Sequence, residues 1–408
     1  MKFLCSLTLL LFLSLSCKHL PNTDEEKYPV EIKVNVSQLN HDSLNLSEIA
    51  DEIEYIPLET SDSALLQDII VVTSVNNSFF LEQAKYRFDN NGNFINRVYQ
   101  LGHGPKECLP KNFAVNKADS CIYIYGYDET IKVYSNSGSL RRTINCPFEK
   151  SGSKPRYSLS FFNNYLFIPS QQFPQVKNIY SCYNLNNDSL IVLCKNYRSY
   201  NKNQMDRYPS IILMDDLYQV TDSTLLYKEN FSDTIFSVDK QFKQQAKYKI
   251  NLGNEKLEWE AWRDTRMFIV SDNPPTGYLV QAFFETKTFL IFEITSLTDT
   301  GILVVYNKEN NSTKLYPCNG ERNIHTQRMM VVYLRNDLDG ILPIPFKRVF
   351  NCSEGYFYAA INAMDFQKAW SSASEQTKTS SEYLRKMHPV LSQINENSNP
   401  VILKIHMR

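Results

Sequence analysis

Neither sign of charge is in excess: 43 Lys and Arg stand against 44 Asp and Glu across 408 residues. That balance leaves no electrostatic footprint for nucleic acid and no polybasic patch for anionic lipid. Glycine is scarce at 12 residues, and no GxSxG elbow is present, which removes the nucleophile motif of the α/β hydrolases. No CxxC pair, Cys/His cluster, HxH or HExxH spacing occurs, so a structural zinc site has no ligands to draw on. Seven cysteines follow Cys5 and Cys17, an odd number that leaves at least one thiol unpaired within the chain. Cys182 and Cys194 flank a hairpin turning at Asn186, Asn187 and Asp188; they can meet across it or lie as two separate buried thiols on one sheet.

What is present is aromatic and β-branched. Tyr (25) and Phe (24) are plentiful while long amphipathic helical patterns are missing, a balance that favours β structure. The start of the chain is different. Lys2 is the only charge before position 17 and precedes FLCSLTLLLFLSLS, an apolar run shorter than the ~20 residues of a membrane span. A positive n-region, an apolar h-region and small closing residues make a secretory signal over residues 1–16. Ser16 directly before Cys17 resembles a bacterial lipoprotein box, although Ser14 stands where a large aliphatic is usual. The resemblance implies cleavage before Cys17 and acylation there, with more than one acyl chain giving a stable anchor. Residues 18–30, KHLPNTDEEKYPV, are polar, carry two prolines and show no apolar period. The expected organisation is a signal peptide over 1–16, the acylated cysteine with a tether over 17–49, and a folded domain over 50–408. Lys18 after the cysteine points to the outer membrane, and the acidic Asp24, Glu25 and Glu26 to its outer face.

The folded domain repeats. FDNNGNF at 88–94 and YSNSGSL at 134–140 share an aromatic, an Asn- or Ser-rich turn, a glycine and a return strand, 46 residues apart. Gly92 and Gly138 supply the positive φ that such hairpins need. Forty-six residues is about the length of one four-stranded propeller blade. Before the second turn, Ile122 and Ile124 share one face, as do Ile131 and Val133. The cadence returns at 180–194, 234–250 and 301–317, and at 349–362 with VILKIHM (401–407). Six such units predict an all-β six-bladed propeller, because a sandwich needs far fewer residues. Ring closure predicts pairing of IEYIPLE (53–59) with VILKIHM. Residues 364–395 carry helix formers and Ser/Thr caps and predict a helical insertion before the last strand.

In this order IEYIPLET (53–60), FDNNGNF (88–94), LGHGPKE (101–107), FSDTIFSVD (231–239), NDLDG (336–340) and SNPVILKI (398–405) resemble the six-bladed β-propeller lipoproteins of Gram-negative gut anaerobes, a domain of unknown function with an NHL/TolB-like propeller. Cys108 follows Glu107 where a tyrosine is usual, and Gly340 is single where a pair is common. The resemblance covers roughly residues 50–408 and implies architecture and an envelope location, without a biochemical activity.

Four motifs carry candidate chemistry. Gly102 and Gly104 imitate a dinucleotide fingerprint, but Pro105 and Pro110 block the helix that fingerprint requires. The glycines fit a tight corner between blades, with Lys106 and Glu107 paired. If any loop binds a polar ligand, His103, Lys106 and Glu107 are the first candidates. His325 and Arg328, in ERNIHTQRMM, offer either a cationic cluster for an acidic ligand or a solvated loop. Asp337 and Asp339 in NDLDG resemble part of a calcium loop without its terminal glutamate; an Asx-stabilised turn fits the residues as well. The triplets beginning at Asp42, Asp62 and Asp188 resemble an O-glycosylation signal of such envelopes. The expected protein is a non-catalytic, lipid-anchored envelope propeller that binds an envelope protein, peptide or glycan, without nucleic acid and without a cofactor unless calcium is held. The alternative is a glycan-directed hydrolase or lyase using residues on the propeller axis.

Overall fold

The computed structural model describes residues 29–408 apart from 67–71, 147, 149–158, 171–175, 198–216, 260, 262–275, 297–300, 319–331, 347–351 and 354. Its strands form six antiparallel meanders around an axis, the six-bladed β-propeller expected from the repeats. Blade 1 consists of Thr73–Val75, Ser78–Leu81, Tyr86–Asp89 and Phe94–Arg97. Blades 2 to 5 occupy residues 110–145, 160–195, 218–251 and 278–317. The first strands of blades 2 and 3, of 3 and 4, and of 4 and 5 touch one another, so these meanders run from the axis outward. Alternate strands run in opposite directions. Links between blades therefore open on one end of the ring with the turns joining second to third strands (the loop end). The remaining turns open on the other.

Blade 6 closes the ring. Its inner three strands are Cys352–Ser353, Tyr356–Ile361 and Val401–Met407, and its outermost strand is the N-terminal β2 (Ala50–Pro57). Tyr55 lies opposite Leu403 and Ile53 opposite Ile405, the predicted pairing of the two ends. In blades 1 and 2 the repeated glycines, Gly92 (φ +88°) and Gly138 (φ +85°), sit at the turns before the outermost strands. Asp89 holds the first turn by accepting the Asn91 and Asn93 N–H groups, both at 2.9 Å.

The core is divided among six apolar clusters, one at each seam between blades. Ile122 and Ile124 face blade 1 with Phe80, Tyr99 and Tyr134. Ile131 and Val133 face blade 3 with Leu166, Ile168 and Tyr183. The aromatic richness is spent here: Tyr123 meets Phe161 with ring centroids 4.7 Å apart, Phe167 meets Tyr218 at 5.1 Å, and Phe79 meets Tyr358 at 5.7 Å, each pair spanning a seam. Such pairs add about 0.5–1.5 kcal/mol beyond the area they bury. Cys182 and Cys194 lie on one blade as free thiols, and Cys108 and Cys121 are free as well.

Residues 30–49, assigned above to the tether, are instead packed against the ring. β1 (Val30–Lys33) adds in parallel to Gln244–Asn251 as a fifth strand on blade 4. Leu39 then bridges to Leu315 on the outermost strand of blade 5, and Leu46 N donates to Arg335 O at 2.8 Å. The physical reason is the short alternation Ile32, Val34, whose side chains are 1% and 6% exposed and enter the seam between blades 4 and 5. The helical insertion is present as α1 (Ala363–Ser372), α2 (Glu375–Lys378) and α3 (Glu382–Leu391), capped by Asn362, Ser374 and Ser381.

Candidate functional site

The corner between blades 1 and 2 carries His103, Lys106 and Glu107 at the loop end. The chain leaves blade 1 at Arg97, and Gln100–Leu101 pairs in parallel with Glu107–Cys108 to close a small loop. Glu107 turns its carboxylate inward and accepts the Gly104 N–H at 2.8 Å. A Cβ on Gly102, whose φ is +151°, would collide with that carboxylate, and one on Gly104 would lie 3.0 Å from it. The glycines therefore make room for Glu107 and have no phosphate to cradle. Lys132 Nζ donates to the Glu107 carbonyl at 2.6 Å and lies 3.3 Å from Asp128. Burial pushes the Asp128 carboxyl up, but bonds from the Thr130 hydroxyl and N–H and from Lys132 outweigh it and hold it below the ordinary value. Burial pushes the Cys108 thiol beneath the corner up to about 11, so it stays protonated at neutral pH.

Of the three residues expected to act together, Glu107 is consumed by the loop, while His103 and Lys106 are exposed. The expected Lys106–Glu107 ion pair does not form; Lys106 contributes only its carbonyl, to the Tyr134 hydroxyl at 3.1 Å. Beside them stands a group that sequence reasoning missed. Lys111 Nζ lies 5.0 Å from the Tyr125 ring centroid and 5.1 Å from that of Tyr127, and 3.9 Å from Glu129. Tyr127 is 67% exposed at the tip of the turn between the second and third strands of blade 2. Its signal was available in GYDET (126–130): an aromatic placed in a polar turn rather than on a strand. An exposed Tyr ring steadied by a lysine offers an apolar face with polar edges to a ligand.

Asp337 and Asp339 belong to a turn rather than to a joint cation cradle. Asn336 Oδ1 accepts the Leu338 and Asp339 N–H groups at 3.2 and 3.3 Å, as an Asx turn requires. Asp337 accepts from the Ser47 N–H at 2.9 Å and from its hydroxyl. Asp339 accepts from the Tyr55 hydroxyl at 2.8 Å, the Ile341 N–H at 2.9 Å and Asn336 Nδ2 at 2.6 Å. Burial raises the Asp339 carboxyl above its ordinary value despite those bonds. Among the described residues no three His, Cys, Asp or Glu side chains gather as a metal site. His325, Arg328 and Cys17 lie outside the described residues. Of the serines in the three triplets, Ser63 is exposed, Ser43 is half-buried, and Ser189 donates its hydroxyl to Asn187 Oδ1 at 2.7 Å.

A second polar centre pins blades 4 and 5 at the opposite end. Glu285 meets Lys247 at 2.7 Å, Lys308 at 3.1 Å and the Tyr248 hydroxyl, and its backbone N–H and carbonyl bond the Gln219 side chain. Burial opposes ionisation here, but the two lysines and Tyr248 win and hold the carboxyl below its ordinary value.

A closed ring of six blades with an elaborated loop end defines a six-bladed β-propeller. The chain belongs to the family described as domain of unknown function DUF4934, which it matches over residues 29–406. Its fold is similar to that of a Bacteroides fragilis NCTC 9343 protein described as exported, with a TM-score of 0.60 at 14% identity over 93% of this chain and 99% of that one. A member of the DUF4221 family from Bacteroides vulgatus ATCC 8482 aligns over 88% of this chain and 97% of that one, at 10% identity and a TM-score of 0.43. No curated protein matches the chain. No helix among the described residues is long and apolar enough to cross a membrane.

Proposed function

We propose that this protein is a lipid-anchored envelope propeller that binds an envelope protein, peptide or glycan through the loop end around the blade 1–blade 2 corner, without catalysing a reaction on it. The observation that carries the reading is the division of labour at that corner. The Glu107 carboxylate is tied into the backbone of its own loop, whereas Tyr127, Lys106 and His103 face solvent on a loop fixed by rigid strands. The description of the B. fragilis relative by fold as exported supports an envelope location, Ser16 before Cys17 supports acylation at Cys17, and Lys18 after it supports the outer membrane.

The test is a binding screen of the Cys17→Ala protein against glycans, peptides and envelope extracts, repeated with Tyr127→Ala and Lys106→Ala. A retained ligand whose affinity falls at least tenfold in either variant is expected. Equal retention by all three proteins would contradict a site at this corner. Turnover of a retained glycan would favour the hydrolase or lyase alternative. Palmitate labelling should be lost in Cys17→Ala, and unchanged labelling would refute the anchor.

A further inference from the structure

We infer that the helical segment over residues 363–399 is a latch on the seam of the ring, gripping the N-terminal strand that closes it. β2 is paired on one side only, with Val401–Met407. Its other side would be a bare edge, open to pairing with another chain. The Tyr383 hydroxyl on α3 donates to Tyr55 O at 2.6 Å and accepts from Tyr55 N at 2.9 Å. Both backbone groups of Tyr55 therefore point away from Val401–Met407, and by the alternation of an antiparallel ladder so do those of Ile53 and Pro57. Pro57 has no N–H to offer. One side chain and one proline thus block two of the three outward positions over residues 53–57.

Two more grips act on the same strand. The Tyr55 ring packs on Phe366 of α1 at 5.6 Å, and Phe366 stacks on Trp370, whose Nε1 donates to Ser392 at 3.2 Å. Asn399, 3% exposed at the end of the segment, holds the chain as it leaves β2. Its N–H donates to Thr60 Oγ1 at 2.8 Å, its Nδ2 to the Glu59 and Ala64 carbonyls, and its Oδ1 accepts the Leu66 N–H at 2.9 Å. The segment leaves the blade after Tyr356–Ile361 at the loop end, crosses to the outer rim and re-enters at Val401. It therefore holds β2 between itself and the sheet, and seam and helices should open as one unit.

Hydrogen exchange resolved at Tyr55 tests this in the full-length protein. In Tyr383→Phe, which keeps the ring and removes only the hydroxyl, the Tyr55 amide should exchange at least tenfold faster, with Ile124 and Val133 in blade 2 unchanged. An unchanged Tyr55 rate, or equal acceleration in every blade, would overturn the latch. Should that variant fail to fold, the unmodified protein in rising urea supplies the test. Amides of β2, α1 and α3 should lose protection together and before blades 2 and 3, whereas helices that exchange while β2 stays protected would overturn it.

Discussion

The two halves of the ring treat their outer edges differently. On blades 4 to 6 the edges are taken by other parts of the chain: β1 lies along blade 4, Leu39 bridges to blade 5, and Tyr383 caps β2 on blade 6. On blades 1 to 3 the sheets end, among the described residues, in Phe94–Arg97, Leu140–Asn145 and Ser189–Lys195 with no further strand. Each of those three strands is bulged, at Ile95, Arg141 and Leu193, where the register with its neighbour slips by one residue. A bulge twists an edge away from flat pairing. The outer strands of blades 4 and 6 are bulged as well, at Lys247 and Asp51, so what sets the two halves apart is the added chain. The difference teaches that the segment before β2 is part of the fold, because it covers strands that would otherwise lie open.

The largest contrast should come from equivalent truncations on the two kinds of edge. Ile32 in β1 is 1% exposed and Ile95 on blade 1 is 43% exposed. Ile32→Ala should cost about 2–5 kcal/mol, as core truncations do, whereas Ile95→Ala should stay within about 0.5 kcal/mol. Urea denaturation followed by tyrosine fluorescence measures both, and equal costs would remove the distinction.

Acid should sharpen it next. The Glu285 carboxyl lies below its ordinary 4.5, so its stabilisation is present above that value and is lost as pH falls through its lowered folded value. The Asp339 carboxyl lies above its ordinary 3.8, so its ionisation opposes folding at neutral pH, and the opposition eases as pH falls through its raised folded value. Glu285→Gln, which leaves Lys247 and Lys308 without their anion, should cost about 1.5–3 kcal/mol at neutral pH and flatten the acid limb of the stability curve. Asp339→Asn should remove the opposite slope. Thermal melts across the acid range check both signs.

How much of this was legible in the sequence follows from which forces are local. The turn glycines Gly92 and Gly138 and the alternating Ile122, Ile124, Ile131 and Val133 are read directly, because a hairpin and a two-faced strand are decided within a few residues. Closure of IEYIPLE on VILKIHM was legible from the rule that a ring must hide its edges. β1 was not, since four residues in a charged stretch show too little alternation to outweigh the polar residues before them. The inward turn of Glu107 was also hidden: a glutamate beside a lysine reads as a surface pair, and only the space beside Gly102 and Gly104 shows that its carboxylate is folded back. Tyr127 and Lys111 come together through the adjacent strands of one blade, a proximity that no linear spacing announces.

The smallest effect on stability, and the most specific, concerns the guard on blade 2. Arg141 and Arg142 are exposed on its outermost strand. Replacing both with Val should leave unfolding within about 0.5 kcal/mol and yet produce concentration-dependent self-association in sedimentation, as an unguarded edge finds another copy. The same pair of substitutions on a strand already covered by chain would have no such consequence.

Residue-resolved hydrogen exchange of the unmodified protein tests the sealed-and-guarded ring most directly. The outward-facing amides of Tyr55 on β2 and of residues 248–251 beside β1 should be protected like those of the inner strands of their blades. Those of Leu140–Asn145 and Ser189–Lys195 should exchange fast. Uniform protection across all six outer strands, or fast exchange at Tyr55, would contradict the account.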